Sequence, residues 1–461
     1  MKQMNIEETY KKQSDYINSF NRLSTDERIY YLKKLKKEII NEENNIYSAL
    51  YSDLKKPKFE TYTAEIGVLL NEIDLFIKNL RSWSQPKRVS SSLVNFPSKD
   101  YIIYEPFGMV LIISPWNYPF QLALLPAMSA FSAGNNVVLK PSEHTPKTSA
   151  LLKKIVNDIF PIELMNVIEG DAKTAEELLE KKWNYIFFTG SVKIGRIVAM
   201  TAAKNLTPFT LELGGKSPAI IDRSTDIKVT CKRIVWGKLL NSGQTCVAPD
   251  YLIVHKSIKN LLVTEIIKTI EKLYGPTKNK SDDLTSIVNT NNFNRLKKII
   301  ENNKVLYGGE LDEKNLYISP TLIETPDIKS SIMKEEIFGP ILPILTYEKL
   351  DDIDFIIKQN PNPLALYVFS KNKKFSDMIM NRYKFGGGII NDTIVHLVNP
   401  NLPFGGIGNS GIGSYRGKSS FELFSHKKSV VKRGMWYENE VRYPPYKNKL
   451  NFVKKLLRFL K

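Results

Sequence analysis

The stretch Gly243-Gln244-Thr245-Cys246 puts one of only two cysteines in the chain on a short, glycine-bearing segment that a substrate can reach. A cysteine thiolate attacks carbonyl carbon well, and it forms most readily where backbone N–H groups lower the thiol pKa and the sulfur is partly exposed. Gly243, Gln244 and Thr245 before it and Ala248-Pro249 after it do not compose a core segment, so Cys246 reads as a nucleophile rather than a small buried hydrophobe. Glu212, in Leu211-Glu212-Leu213-Gly214-Gly215, has apolar neighbours, and desolvation there lifts a carboxyl toward a general-base value. An ion-paired structural carboxylate fits the same local sequence. Asn117, in Pro115-Trp116-Asn117-Tyr118-Pro119, offers a neutral amide donor on a proline-stiffened loop. With a backbone N–H at the nucleophile it could hold a developing oxyanion; a turn asparagine has the same local signature.

Two further segments each end an apolar run: Lys140-Pro141-Ser142-Glu143, and Phe188-Thr189-Gly190-Ser191-Val192-Lys193-Ile194-Gly195. Both sit where a doubly wound sheet binds a nucleotide. Glu143 could accept hydrogen bonds from ribose hydroxyls, and Ser191 could present its hydroxyl and N–H to a phosphate at the start of the next helix. The Gly190 to Gly195 spacing lacks the middle glycine of the dinucleotide fingerprint, and an ordinary strand-to-helix turn explains it as well. Gly214-Gly215-Lys216-Ser217 resembles the end of a phosphate-binding loop, but Thr210 stands where that motif needs glycine. A nucleoside triphosphatase is therefore rejected.

The elements that must position these residues follow from periodicity. Residues 7–56 and 60–84 read as long helices, with Ser24-Thr25-Asp26-Glu27 as an N-terminal cap. From Phe107 on, apolar runs at 109–113, 136–139, 165–168 and 185–188 read as buried strands. Between and after them lie helical stretches at 119–133, 146–159, 172–181 and 191–203. This alternation predicts a parallel sheet covered on both faces, with ligands at the carboxyl ends of its strands. A second alternating region runs from Ser217 to about Asn391, with helices near 226–240, 256–273, 350–360 and 373–384. A Gly-, Pro- and Asn-rich loop spans Pro400–Gly413, and the apolar run near Val430 suits a strand.

The chain has 461 residues, 42% hydrophobic and 25% charged, enough for two or three domains and a large core. Two cysteines and four scattered histidines exclude a disulfide framework and a zinc site, and no metal is expected. The polar, acidic start, Met1 to Tyr10, is no secretory signal, no apolar stretch is long enough to span a bilayer, and a reducing cytoplasm fits. The net charge of +18 is spread along amphipathic helices without a nucleic-acid motif, which argues against nucleic-acid binding. The tail differs. Its charges after Tyr446 are all basic (Lys447, Lys449, Lys454, Lys455, Arg458, Lys461), and Leu450, Val453, Leu456, Leu457 and Leu460 recur at helical spacing. Such a cationic amphipathic helix could rest on an anionic membrane, a peripheral contact through residues 447–461, or dock on its own protein.

Taken together, these segments resemble the aldehyde dehydrogenase superfamily, most closely its class 3, fatty aldehyde dehydrogenase-like branch. Its motifs occur in family order: Pro115 to Pro119, Lys140 to Glu143, Phe188 to Ser191, Glu212 to Lys216, Gly243 to Cys246, Glu335-Glu336-Ile337-Phe338-Gly339-Pro340, and Pro403 to Gly406. The resemblance covers nearly the whole chain. It implies an α/β fold of two doubly wound, Rossmann-like domains with a small β bridging and oligomerisation element. The expected boundaries are 1–85 with 105–213 for the dinucleotide-binding domain and 214–395 for the catalytic domain. The bridging element is expected at 86–104 with 396–432, and the basic amphipathic tail at 433–461.

The same resemblance implies that Cys246 is the nucleophile, Glu212 the general base, and Asn117 with the Cys246 N–H the oxyanion hole. It implies that Lys140 and Glu143 meet the adenine ribose, that Ser191 in the Thr189-Gly190-Ser191 to Gly195 turn meets the pyrophosphate, and that Glu336 and Phe338 surround the nicotinamide ribose and ring. The cofactor is then NAD or NADP, bound without the usual glycine fingerprint. The substrate is an aldehyde, expected to be medium- or long-chain aliphatic or else aromatic, and the assembly a homodimer. A coenzyme-A-acylating or semialdehyde-specific dehydrogenase and a non-catalytic binding protein on the same scaffold are the rival readings. The presence of Glu212 argues against acylation, and Cys246, Glu212 and Asn117 together argue against loss of catalysis.

Overall fold

In the computed structural model the described residues are 6–92 and 95–459. Residues 1–5 of the N-terminal reading, residues 93 and 94 of the expected bridging element, and Leu460 and Lys461 of the tail lie outside them, as does the side chain of Leu456.

The N-terminal segment folds into helices Ile6–Asn18, Thr25–Asn41, Glu43–Leu54 and Gly67–Trp83, shorter than the runs expected from periodicity. The expected cap at Ser24 is present as a capping box. Its hydroxyl accepts from the Glu27 N–H at 3.3 Å, and the Glu27 carboxylate accepts from the Ser24 N–H at 2.8 Å. The third helix stops because Lys55 turns left-handed (φ 54) and Pro57 follows two residues later. A wide π turn, Tyr62–Ile66, precedes the fourth helix.

Three sheets form the frame. The first has six strands in the order 411–412, Phe209–Leu213, Tyr185–Gly190, Met109–Ile113, Asn136–Lys140, Met165–Val167, parallel except for the short strand at its edge. Every residue of Met109–Ile113 and Asn136–Lys140 is buried, as expected for strands covered on both faces. The chain builds outward from Met109–Ile113 to one side and then returns to add Tyr185–Gly190 on the other. The order therefore reverses between these two strands, and a crevice opens beyond their carboxyl ends. The loops carrying Asn117 and Ser191 leave from there.

The second sheet has seven strands in the order Val305–Tyr307, Thr321–Glu324, Ile341–Tyr347, Tyr251–His255, Pro218–Ile221, Ala365–Phe369, Gly387–Ile390, parallel except for the first. The helices expected here are found at Ile227–Leu239, Lys259–Tyr274, Leu350–Gln359 and Lys373–Arg382. Helix Thr290–Glu301, not anticipated from the sequence, is capped by Asn289. Three antiparallel strands, Lys87–Val89, Ser98–Pro106 and Ser425–Arg433, form a separate sheet, the last containing the strand expected near Val430. The tail is helical over Leu450–Phe459, with Leu450, Phe452 and Leu457 exposed. Among the described residues no helix is long and apolar enough to cross a membrane.

Candidate active site

Cys246, Glu212 and Asn117 come from three separate parts of the chain and line one cavity of about 260 Å³. Pro115 to Asn117 follow the strand Met109–Ile113, and Gly190 and Ser191 end the strand Tyr185–Gly190, so one wall is the carboxyl end of the six-stranded sheet. Gly214, Cys246, Glu336 and Leu364 each precede a strand of the seven-stranded sheet, so the facing wall is that sheet's amino end. The cavity thus lies at the carboxyl end of the first sheet, where the sequence reading expected ligands, and at the amino end of the second.

Cys246 is partly exposed while its neighbours Thr245 and Val247 are buried. Its thiol is pushed up to about 12 by burial and by the nearby carboxyls of Glu336 and Glu212. The backbone N–H groups of Cys246 and Val247 pull in the opposite direction, as the sequence suggested, but they are outweighed. The net shift is upward, whereas the sequence reading looked for a lowering by backbone N–H groups. Glu212 is 3% exposed, with neither carboxyl oxygen hydrogen-bonded among the described residues. Burial raises its pKa well above the ordinary carboxyl value, and the Arg416 cation opposes this only in part. The ion-pair alternative for Glu212 fails: among the described residues no cation is hydrogen-bonded to either carboxyl oxygen, and Arg416 acts on it only through its charge. The Asn117 amide donates to the Gln244 carbonyl at 3.0 Å, tying its loop to the Cys246 loop.

Several groups that the sequence did not single out hold these loops. Lys56 and Glu65 form a fully buried ion pair at 2.5 Å, and Lys56 also donates to the Asn117 carbonyl at 3.0 Å. Glu65 accepts from the N–H groups of Phe120 and Gln121 at 2.9 and 3.2 Å, where the helix Gln121–Ser132 begins. The Asn241 amide donates to the carbonyls of Asn117 and Gln244 at 2.9 and 3.1 Å. Asn241 sits in left-handed backbone (φ 53), and its N–H donates to Glu60 at 3.1 Å. No local signal marks these residues, because their burial arises only from tertiary packing. Tyr415 is another wall residue missed in the sequence.

The remaining candidates divide into two groups. Thr189, Gly190, Ser191, Glu336 and Phe338 line the cavity with Cys246, whereas Lys140, Glu143 and Gly195 do not. Ser191 caps the helix Val192–Lys204, accepting from the Ile194 N–H at 3.4 Å. Gly195 lets that helix lie against Leu213, whose Cδ2 would come within 2.6 Å of an added Cβ. The Glu336 carboxyl fills the space at Gly214, where a Cβ would meet Oε2 at 1.9 Å. Burial and the charge of Asp250 push Glu336 up to about 8. Its loop is fixed by a buried Lys216–Asp250 ion pair at 2.5 Å and by the Ile337 N–H donating to Asp250 at 3.1 Å. Phe338 meets Trp116 edge to face with ring centroids 5.3 Å apart. Lys140 pairs with Glu143 at 2.7 Å. Burial acts to raise the Glu143 pKa, but the Lys140 hydrogen bond prevails and holds it below the ordinary value. A second, more open cavity of about 610 Å³ shares Ser191, Gly214 and Glu336 with the first and adds the cations Lys193, Arg196 and Arg295.

The sequence profile of the aldehyde dehydrogenase family matches residues 1–430. The chain belongs to the aldehyde dehydrogenase family. Among its relatives is the 4,4'-diaponeurosporen-aldehyde dehydrogenase of Staphylococcus aureus, 45% identical over 97% of this chain and 98% of that protein. Another is the rat "aldehyde dehydrogenase, dimeric NADP-preferring", 42% identical over 95% of this chain and 98% of its own. The solved structure described as the substrate-bound state of Staphylococcus aureus AldH superposes with a TM-score of 0.96. It is 44% identical, covering 98% of this chain and all of the other. The α/β architecture is thus that of the aldehyde dehydrogenases, and the class 3 resemblance stands.

Proposed function

We propose that this aldehyde dehydrogenase oxidises an aldehyde to the carboxylic acid with NAD or NADP, through a covalent intermediate on Cys246. The observation that carries the reading is the meeting, in one cavity, of a partly exposed thiol, a buried carboxyl without protein partners and an asparagine amide. Cys246 Sγ, once deprotonated, adds to the aldehyde carbon and gives a thiohemiacetal. One N–H of the Asn117 amide is taken by Gln244, and the other, with the Cys246 N–H, is available to the oxyanion. Glu212 then removes a proton from the water that hydrolyses the thioester, a role that its desolvated carboxyl suits once ionised.

The residues present fit a nicotinamide dinucleotide. The close approach at Gly214 turns the Glu336 carboxyl toward the shared cavity, where it can accept from a ribose diol. The buried Thr189 hydroxyl has no hydrogen-bond partner among the described residues, and Ser191 opens a 13-residue helix suited to a phosphate. Phe338 flanks the ring position, Lys140 and Glu143 meet the adenine ribose, and Gly190 and Gly195 allow the turn and helix to approach. When bound, the dinucleotide supplies the oxidant, its nicotinamide accepting the hydride.

Apolar walls at Trp116, Leu213, Leu364 and Phe404 favour medium- or long-chain aliphatic or aromatic aldehydes. The two sheets with their helices serve as the dinucleotide-binding and catalytic domains. The three-stranded sheet bridges subunits of a homodimer through the free edge of Ser425–Arg433, in keeping with the rat relative's description as dimeric. The exposed apolar face of the basic tail helix makes a peripheral membrane contact. Assaying the purified protein with a panel of aliphatic and aromatic aldehydes and 4,4'-diaponeurosporen-aldehyde, with NAD and NADP separately and with and without coenzyme A, tests this reading. Acid formation independent of coenzyme A supports it; acyl-coenzyme A as product, or no oxidation of any aldehyde, overturns it.

A further inference from the structure

We propose that Lys56 and Asn241 are positioning residues for oxyanion stabilisation, acting through the carbonyl of Asn117. This rests on the reading of Asn117 as an oxyanion donor. The Asn117 carbonyl accepts two hydrogen bonds, from Lys56 Nζ at 3.0 Å and from Asn241 Nδ2 at 2.9 Å. The donors come from different sides. Lys56 lies between the third N-terminal helix and the π turn that carries Glu65, whereas Asn241 belongs to the segment that leads into Cys246.

Each donor is fixed independently. The Lys56 side chain is fully buried, paired to Glu65 at 2.5 Å, and its ammonium also lies 4.3 Å from the Tyr118 ring centroid. Glu65 in turn holds the N–H groups of Phe120 and Gln121, so the Lys56–Glu65 pair grips residues 117–121 at both ends. Asn241 is held in left-handed backbone by Glu60 and bonds the Gln244 carbonyl, the same atom that receives the Asn117 amide. A shift of the Asn117 backbone would break both carbonyl bonds and carry the side-chain amide, borne on the same Cα, out of its place in the cavity. A buried lysine is costly unless paired and hydrogen-bonded; here its third partner is the backbone of the residue whose amide must not move. Preorganisation of this kind gives an oxyanion donor its effect, because the donor need not reorient as charge develops.

The test uses the full-length protein and compares Asn117→Ala, Asn241→Asp and the double variant Lys56→Met/Glu65→Gln. The double variant removes both buried charges while leaving an oxygen at position 65 to accept from Phe120 and Gln121. Asn241→Asp keeps a residue tolerant of left-handed backbone but removes both amide donors. Removal of an oxyanion donor costs on the order of 10²- to 10³-fold, so displacement of Asn117 is expected to slow the pre-steady-state burst about 10- to 100-fold. Dinucleotide affinity and the rate of Cys246 alkylation by iodoacetamide need no oxyanion site, and both should stay within about threefold of the parent. Adding either variant to Asn117→Ala should slow the burst by less than about threefold more, because the residues act through one group.

If Asn117→Ala loses the burst while both positioning variants keep it, the inference is overturned and the oxyanion reading stands. If Asn117→Ala keeps the burst, the oxyanion reading falls and takes the inference with it. Parallel loss of alkylation and dinucleotide binding, or full multiplication of the defects in the combined variants, reduces Lys56 and Asn241 to general structural residues and also overturns it. Should Lys56→Met/Glu65→Gln fail to fold, Asn241→Asp alone carries the same outcomes.

Discussion

Glu212→Gln separates the two halves of the proposed reaction. The amide nearly reproduces the carboxyl in shape, at a site 3% exposed where neither oxygen has a protein partner, so the substitution breaks no protein hydrogen bond. Acylation and hydride release require Cys246 and the oxyanion site, and stopped-flow absorbance should record a burst of about one reduced dinucleotide per active site. Hydrolysis should then be slower by about 10²- to 10⁴-fold, the usual contribution of a general base, or about 3–5 kcal/mol of barrier.

The pH dependence has a definite sign. Burial raises the Glu212 pKa, so the base is protonated through the ordinary carboxyl range, and hydrolysis by the parent enzyme should rise with pH above that range. The variant should lack this rise. The same shift affects folding: the neutral carboxyl favours the native state fully below the unfolded carboxyl pKa, and this advantage is lost as pH climbs toward the raised native value. The thermal midpoint of the variant relative to the parent should therefore increase from pH 5 to pH 8. An unchanged steady state without a burst would refute the assignment and move the base role to Glu336, pushed up to about 8 in the same cavity.

Other consequences follow from single contacts. Glu143→Gln removes the acid paired with Lys140, and should raise kcat/KM with NADP relative to NAD, by about tenfold if one charge repulsion of about 1.4 kcal/mol is relieved; an unchanged ratio detaches Glu143 from the 2'-position. Deleting residues 447–461 removes the exposed apolar face at Leu450, Phe452 and Leu457 and should abolish sedimentation with anionic vesicles at low salt. Failure of the intact protein to sediment contradicts the membrane contact. Because its thiol is pushed up to about 12, Cys246 should be alkylated slowly by iodoacetamide at pH 7 and progressively faster up to pH 10; a rate already at its plateau at pH 7 contradicts that placement of charges.

What was legible in the sequence was local. The capping box at Ser24, the buried strands Met109–Ile113 and Asn136–Lys140, and the loop character around Cys246 depend on side chains within a few residues of one another. The run 7–56 is broken where periodicity gives no warning, at residues 19–24, where Phe20 turns left-handed (φ 60), and again at Glu42. Helix Thr290–Glu301 carries Phe293, Leu296 and Ile300 on its buried face, but its asparagine-rich first turn masks the helical signal. The upward shift of the Cys246 thiol has no local signal, because it comes first from burial in the folded chain and then from Glu336 and Glu212, 90 residues after it and 34 before it. Lys56, Glu65 and Asn241 were invisible for the same reason: nothing within a few residues of Lys56 tells that its ammonium ends on the Asn117 carbonyl.

The central claim is a covalent bond at one sulfur, and mass spectrometry of a trapped intermediate measures it directly. Glu212→Gln enzyme mixed with an aliphatic aldehyde and the oxidised dinucleotide, then quenched in acid and digested, should yield the peptide containing Cys246 heavier by the acyl group, with the peptide containing Cys231 unmodified. Absence of any acyl adduct after a full burst, or normal turnover by Cys246→Ala, would contradict the account.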